Sequence, residues 1–282
     1  MPITKVIVFG ASADQGIPLV NALQRRGFDV SAGARRANAM DQTPFPDLRV
    51  VQCDINDSDS LMRAFEGQDA LAMHLPFEFD RARAAAFGKS IADGARGSGL
   101  KKIVFNTSCF VADHDLDLTA HDGRRDIERS LEETGIPCVF IEPTVFMNNI
   151  IRVWTKPSIV NRGIFAYPAK SSLRISWIAL EDVGEYMAAA LETSKADGLH
   201  VPVGGPEALV GDEVADADRH DPLHRLAELD RLGHDHERLA AQHRGPRLVD
   251  DVLGVEKGQQ GRRLGAIEHA GLLDGLAEAS AA

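Results

Sequence analysis

The stretch Val6-Ile7-Val8-Phe9-Gly10-Ala11-Ser12-Ala13-Asp14-Gln15-Gly16 constrains this chain more than any other. An apolar, β-branched run passes directly into a Gly/Ala-rich turn, and the turn opens a helical pattern. Gly10 permits the tight turn that leaves the strand, and Gly16 lets the helix pack closely on the sheet. Backbone N–H groups at the helix N-terminus then point at whatever lies above the turn, an arrangement suited to a pyrophosphate. Ala13 stands where a third glycine is usual. Its methyl limits the closest approach of a phosphate without removing the site.

The rest of the first 145 residues repeats the same alternation. Strands are predicted over Lys5 to Phe9, Phe28 to Ala32, Leu48 to Cys53, Asp69 to His74, Lys102 to Asn106 and Cys138 to Ile141. Helices are predicted over Gln15 to Arg26, Ser58 to Phe65, Arg81 to Gly97 and Arg124 to Thr134. Strands separated by helices of this length mean βαβ units and right-handed crossovers. The predicted fold class is α/β, a Rossmann-type doubly wound parallel sheet with a small C-terminal lobe. Beyond Pro143 the pattern loosens, with two further strands (Arg174 to Ile178, His200 to Val203) and a helix from Leu180 to Leu191 between them. Residues 1–150 are therefore read as a dinucleotide-binding domain and residues 151–215 as the remaining strands and the start of a substrate lobe. Residues 216–282 are read as an atypical tail.

The end of the second strand indicates the cofactor. An acid there binds a free ribose 2′-hydroxyl, whereas an arginine accommodates a 2′-phosphate. Here Arg35 and Arg36 follow Ala34, and no acid competes nearby, so NADP(H) is expected over NAD(H). At the end of the third strand, Asp54 and Ile55 reach the adenine edge or form an ordinary turn; the sequence leaves both open.

Several motifs in order resemble the NmrA-like group of atypical short-chain dehydrogenase/reductases. They are Gly10 to Gly16, Arg35, Asp54-Ile-Asn-Asp57, Arg124-Arg-Asp-Ile-Glu-Arg-Ser-Leu131, Gly135-Ile-Pro-Cys-Val-Phe-Ile-Glu-Pro143 with Thr-Val-Phe-Met-Asn-Asn149, and Val203-Gly-Gly-Pro-Glu-Ala-Leu209. The resemblance spans about residues 3 to 215. It implies a Rossmann-type domain for NADP(H), a small C-terminal lobe, and either reduction of quinones, aldehydes and related small molecules or a non-catalytic regulator that senses the dinucleotide.

The usual catalytic Tyr, with Lys four residues on, is not found. The tyrosines are Tyr167 and Tyr186, and the corresponding stretch pairs Ala120 with Arg124 or His121 with Arg125. Arginine stays protonated, so it can fix a ribose or a developing negative charge but cannot act as a base. A loop His121 is a candidate proton donor or simply solvated. Direct hydride transfer to an electrophile remains, because the cofactor carries that chemistry. Ligands bind at the carboxyl ends of strands in open α/β sheets. That rule nominates His74, Leu75 and Pro76; Asn106, Thr107 and Ser108; and Pro143, Thr144 and Val145. Ser108 or Thr107 is a candidate to polarise a substrate carbonyl, and Phe146, Met147 and Trp154 are candidates for an apolar wall.

Charge argues against nucleic acid or anionic lipid as a partner: Lys+Arg is 31 against Asp+Glu 42, a net of −11. No signal peptide or membrane span is expected, and Cys53, Cys109 and Cys138 read as buried free thiols, so a cytoplasmic setting and a small-molecule substrate are predicted. A protein partner is expected only for the regulatory reading. From residue 187 onward there is no Phe, Tyr or Trp, and 7 of the 11 net negative charges lie from Glu207 on. The tail's six histidines lack a Cys pair or a zinc motif, so no metal is predicted. Its Ala, Gly, Leu, Arg and Asp alphabet suggests a frameshifted, GC-rich reading beyond about Ala215, with a divergent helical tail as the rival.

Overall fold

The computed structural model describes residues 2–152 and 154–220, with side chains through Ala215. The histidine-rich tail, read as frameshifted or divergent and helical beyond about Ala215, falls outside the residues whose side chains are described. Within the described residues the chain divides into two units, residues 2–143 with 180–203, and residues 144–179 with 204–220.

The first unit is built on seven parallel strands: β1 (Lys5–Phe9), β2 (Asp29–Ala34), β3 (Val50–Gln52), β4 (Ala70–His74), β5 (Lys102–Asn106), β6 (Cys138–Pro143) and β9 (Leu199–Val203). Their spatial order is β3-β2-β1-β4-β5-β6-β9, which reverses direction between β1 and β4. The connecting helices are α1 (Gly16–Arg25), α2 (Ser58–Phe65), α3 (Arg81–Ala95), α4 (Thr119–Glu132) and α6 (Leu180–Glu192). Both faces of the sheet are covered, so its strands read as continuous apolar runs. Alternate residues nevertheless serve different layers. Ile7, Phe9, Leu71, Met73, Ile103, Phe105 and Phe140 join Leu61, Phe65, Ile91, Ile127 and Leu131 of α2, α3 and α4 in one core. On α6, Gly184 lets that helix approach α1, since a Cβ there would lie 2.9 Å from the backbone of Pro18.

The second unit holds a three-stranded sheet of β7 (Val145–Phe146), β8 (Ile175–Ile178) and β10 (Ala208–Leu209), with β8 central. Helices α5 (Lys156–Arg162) and α7 (Gly211–His220) belong to it. Its core gathers Val145, Trp177 and Val214, with Phe165 and Tyr167 packed against them. Tyr167 meets Trp177 edge-on at 4.9 Å. The sequence reading missed β7, β10 and α5, because each is too short for its periodicity to stand out, and it did not predict the ten-residue α7.

Among the described residues no helix is long and apolar enough to cross a membrane. All three cysteines are buried free thiols. Burial pushes Cys53 up to about 11 and Cys109 and Cys138 up to about 12, which leaves them unreactive near neutral pH.

His200, on β9, sets a pH dependence. Its Nδ1 lies 3.0 Å from Glu142 and 3.9 Å from Glu128, and its Nε2 lies 3.8 Å from Glu132. Burial opposes the imidazolium, but the three carboxylates outweigh it and raise the pKa above the ordinary value. A raised folded-state pKa stabilises the fold below the unfolded value of about 6.5, and this is lost as pH rises through the folded value. Urea unfolding of wild type and His200→Gln should therefore differ most below about pH 6.5 and draw together as pH rises through the raised folded-state value. A gap constant with pH would show that the charge of His200 contributes nothing.

Candidate functional site

The candidate site begins where β1 gives way to α1. Gly10 adopts φ +81°, a left-handed conformation that glycine takes freely. Its carbonyl accepts a hydrogen bond from the Ala13 N–H at 2.9 Å and faces His74 Nε2 at 3.0 Å. A carbonyl can only accept, so Nε2 carries the proton of that contact. Burial lowers the pKa of His74, favouring the neutral ring. There is no room for a side chain at Gly10: a Cβ would sit 2.3 Å from His74 Nε2. At Gly16 a Cβ would sit 2.0 Å from the Gly10 carbonyl oxygen.

Helix α1 therefore starts hard against the turn. Its N-cap, Gln15, makes no side-chain capping bond, and the first turn contains no acid. Ser12, Ala13 and Asp14 are exposed on the turn. The Gly16 and Ile17 N–H groups donate to the Ala13 carbonyl at 2.8 and 3.0 Å, so what the turn offers a pyrophosphate is the positive end of the α1 dipole, which no acid or side-chain cap neutralises. Asp14 is the one carboxylate within the turn.

Gln15 is occupied by the end of β5. Its Oε1 accepts from Asn106 Nδ2 at 2.8 Å and from the Ser108 hydroxyl at 3.1 Å. Asn106 Oδ1 in turn accepts the Ser108 N–H at 2.8 Å. Ser108 has φ +65°, unusual for a residue with a side chain, and this pair of bonds holds it there. Thus Gln15, Asn106 and Ser108, nominated separately from sequence, form one network. Thr107 does not share the role considered for it. Its hydroxyl is buried against the carbonyl oxygens of Cys109 (2.6 Å) and Ile141 (3.0 Å), so it ties backbone together instead of polarising a carbonyl.

At the other edge, Arg35 and Arg36 are exposed just past the end of β2. Asp54 lies beyond the end of the neighbouring strand β3. Its Oδ1 accepts from the Asn56 N–H (2.9 Å) and Asn56 Nδ2 (2.8 Å), forming a turn. These bonds, with the nearby charge of Arg35, lower its pKa. Ile55 is half-buried in the same turn.

The region read as loop before Arg124 is helix. Helix α4 begins at Thr119, five residues earlier than predicted. Gly123 weakened the sequence signal, yet tertiary packing needs it: a Cβ there would meet Ala84 Cβ on α3 at 2.7 Å. His121 is consequently a buried helical residue, not a loop histidine. Its Nε2 lies 2.8 Å from the Phe110 carbonyl oxygen. Arg124 is buried, and its Nη2 donates to the Leu75 carbonyl at 2.5 Å.

Leu75 is buried and Pro76 exposed after β4, and Pro143 closes β6. Thr144 and Val145 belong to the second unit. The contact sequence reasoning missed is Phe77, whose ring centroid lies 4.6 Å from the Arg124 guanidinium carbon. No local pattern signals a pairing across 47 residues.

A family model described as the NmrA-like family matches residues 2–218. An NAD(P)H azoreductase of Xenophilus azovorans is 25% identical over 214 residues, covering 75% of this chain and 72% of that protein. Two solved structures share the fold. An NADPH-dependent quinone oxidoreductase of Escherichia coli, complexed with NADPH, aligns with TM-score 0.65 at 17% identity over 77% of this chain and 75% of that one. Triphenylmethane reductase of Citrobacter sp., complexed with NADP(H), aligns with TM-score 0.64 at 16% identity over 77% and 76%.

Proposed function

The chain belongs to the NmrA-like family, and from that premise we propose that it is an NADPH-dependent reductase of small electrophiles such as quinones or aldehydes, working without a Tyr-Lys pair. The observation that carries this reading is the Gly10–Gly16 turn at the β1/β4 reversal, with an uncapped α1 N-terminus above it. The nicotinamide chemistry of the relatives just described supports it.

In this reading the Gly10 to Gly16 turn holds the pyrophosphate on backbone N–H groups. Arg35, assisted by Arg36, takes the 2′-phosphate, and Asp54 and Ile55 border the adenine. His74, Leu75, Pro76 and Asn106 line the nicotinamide end at the carboxyl termini of β4 and β5. The reduced nicotinamide, when bound, supplies the hydride. His74 keeps Gly10 in its turn, and Ser108, whose hydroxyl proton Gln15 Oε1 accepts in this structure, would turn that proton toward a substrate oxygen on binding. This reading gives His121 no part in that task, since its Nε2 faces the Phe110 carbonyl.

The test is a fluorescence titration with NADPH, NADP⁺, NADH and NAD⁺, followed by NADPH oxidation across quinone and aldehyde panels. NADPH should bind most tightly, and at least one acceptor should be reduced. No binding of any dinucleotide overturns the reading. Tight binding without oxidation moves the chain to the non-catalytic, dinucleotide-sensing reading, which the burial of His121 and Thr107 favours.

A further inference from the structure

Three carboxylates converge on one imidazole at the edge of the seven-stranded sheet. In that sheet β9 meets only β6, and their register sets His200 opposite Phe140. Glu142, two residues along β6 from Phe140, lies on the same face. Helix α4 brings Glu128 and Glu132 to it, four residues apart and so on one side of the helix. His200 Nδ1 lies 3.0 Å from Glu142 Oε1 and 3.9 Å from Glu128 Oε1. Glu128, Glu142 and His200 each offer a ligand atom within 4.8 Å of the other two, the one such His/Cys/Asp/Glu trio among the described residues. The two glutamates are 3% and 4% exposed. The Phe140 ring, 4.8 Å from the imidazole, supports its plane.

Burying two carboxylates beside a single imidazole is costly unless a cation joins them. Arg124, one turn before Glu128 on α4, offsets part of that charge through space. Two carboxylates and a ring nitrogen also suit a zinc ion, whose bonds of about 2.0–2.2 Å in a tetrahedron set its ligand atoms about 3.3 Å apart. The two Nδ1 separations bracket that value. The other ring nitrogen gives independent support. Nε2 lies 3.8 Å from Glu132 Oε1, in the place of the outer carboxylate that orients a metal-bound histidine. The His200 and Glu132 side chains are 27% and 55% exposed, so an ion can enter from solvent on that side.

We propose that Glu128, Glu142 and His200 bind a divalent transition-metal ion, zinc in the first instance, with a water completing four-coordination. The ion replaces the proton between His200 Nδ1 and Glu142, and it ties edge strand β9 to β6 and α4. The imidazole selects against magnesium and calcium, which prefer oxygen ligands. Strands β4, β5 and β6 separate β9 from β1 and its glycine turn. Zinc and dinucleotide therefore bind independently, and the site does not rest on the reductase reading. The pH dependence expected of His200→Gln belongs to the metal-free chain and is measured with chelator present.

The experiment titrates zinc into the chelator-treated full chain, reading affinity by competition with a chromophoric chelator and stability by thermal unfolding. Wild type, His200→Gln, Glu142→Gln and Glu132→Gln are compared, with NADPH affinity measured alongside. Six further histidines lie beyond Ala215, so a control replaces all six with Gln. Zinc at about a hundred times its Kd should raise the wild-type unfolding temperature by about 5 °C or more, and magnesium should not. His200→Gln and Glu142→Gln should lose at least about a hundredfold in zinc affinity and the thermal shift with it. The tail control should keep both, and NADPH affinity should change less than about threefold throughout. Glu132→Gln, at an exposed position, decides the matter should the ligand variants fail to fold. Zinc affinity about tenfold weaker supports the site, and unchanged affinity overturns it. No zinc-dependent stabilisation of wild type, or stabilisation that survives His200→Gln and is lost in the tail control, also overturns it.

Discussion

Gly16→Ala should reduce NADPH affinity by at least about a hundredfold and lower stability by about 1–3 kcal/mol. The added methyl would lie 2.0 Å from the Gly10 carbonyl oxygen and 2.7 Å from Ala11 Cα. Both obstacles are backbone, so no rotamer change relieves them. The helix start must instead move away from the turn, carrying the N–H groups out of register with a phosphate. Gly27→Ala is the control. Gly27 has φ +83°, so alanine is strained there, but a Cβ would meet nothing within 4 Å. It should cost about 1 kcal/mol of stability and leave NADPH affinity unchanged. Urea unfolding and NADPH titration of both variants make the comparison. Equal affinities in Gly16→Ala and Gly27→Ala would remove the turn from the cofactor site.

Arg35→Ala should weaken NADPH binding by about 30-fold and NADH binding by less than about threefold. If Arg35 borders the adenosine ribose as proposed, its exposed guanidinium would meet a dianionic 2′-phosphate on NADPH and only a neutral 2′-hydroxyl on NADH. Its field already reaches Asp54 across the ends of β2 and β3, where it helps lower that carboxylate's pKa. Removing Arg35 therefore deletes an attraction specific to the phosphate and leaves Asp54 held by its Asn56 bonds. The measurement is a pair of fluorescence titrations at fixed ionic strength, since the phosphate contact is screened by salt. Equal losses for the two dinucleotides would show that Arg35 supports adenine stacking or the loop itself.

The candidate site was partly legible before any coordinates. Gly10 and Gly16 announce themselves because a strand, a turn and a helix are local events with local signals. Arg35 is found by counting from them. His121 went the other way. The segment from Ala120 to Gly123 looked like loop because glycine is a poor helix former, and only the α3 surface explains why glycine is wanted there. Thr107 also looked available, since its engagement with Ile141 depends on β6 lying beside β5.

By itself the sequence determined the α/β alternation, the glycine turn from Gly10 to Gly16, the arginine that follows β2 and the lack of a Tyr with Lys four residues on. Each of these is written within a few residues or at a fixed spacing. The tertiary structure alone decided which strand ends meet. Gln15 finds Asn106 across 91 residues, and His74 finds Gly10 across 64. These contacts exist because β4 lies next to β1, and β5 next to β4, in the sheet. Periodicity reports which face of an element is buried, but it carries no record of which distant strand will lie next to it. For the same reason the buried Arg124 donors that meet no acceptor become visible only once the chain has folded.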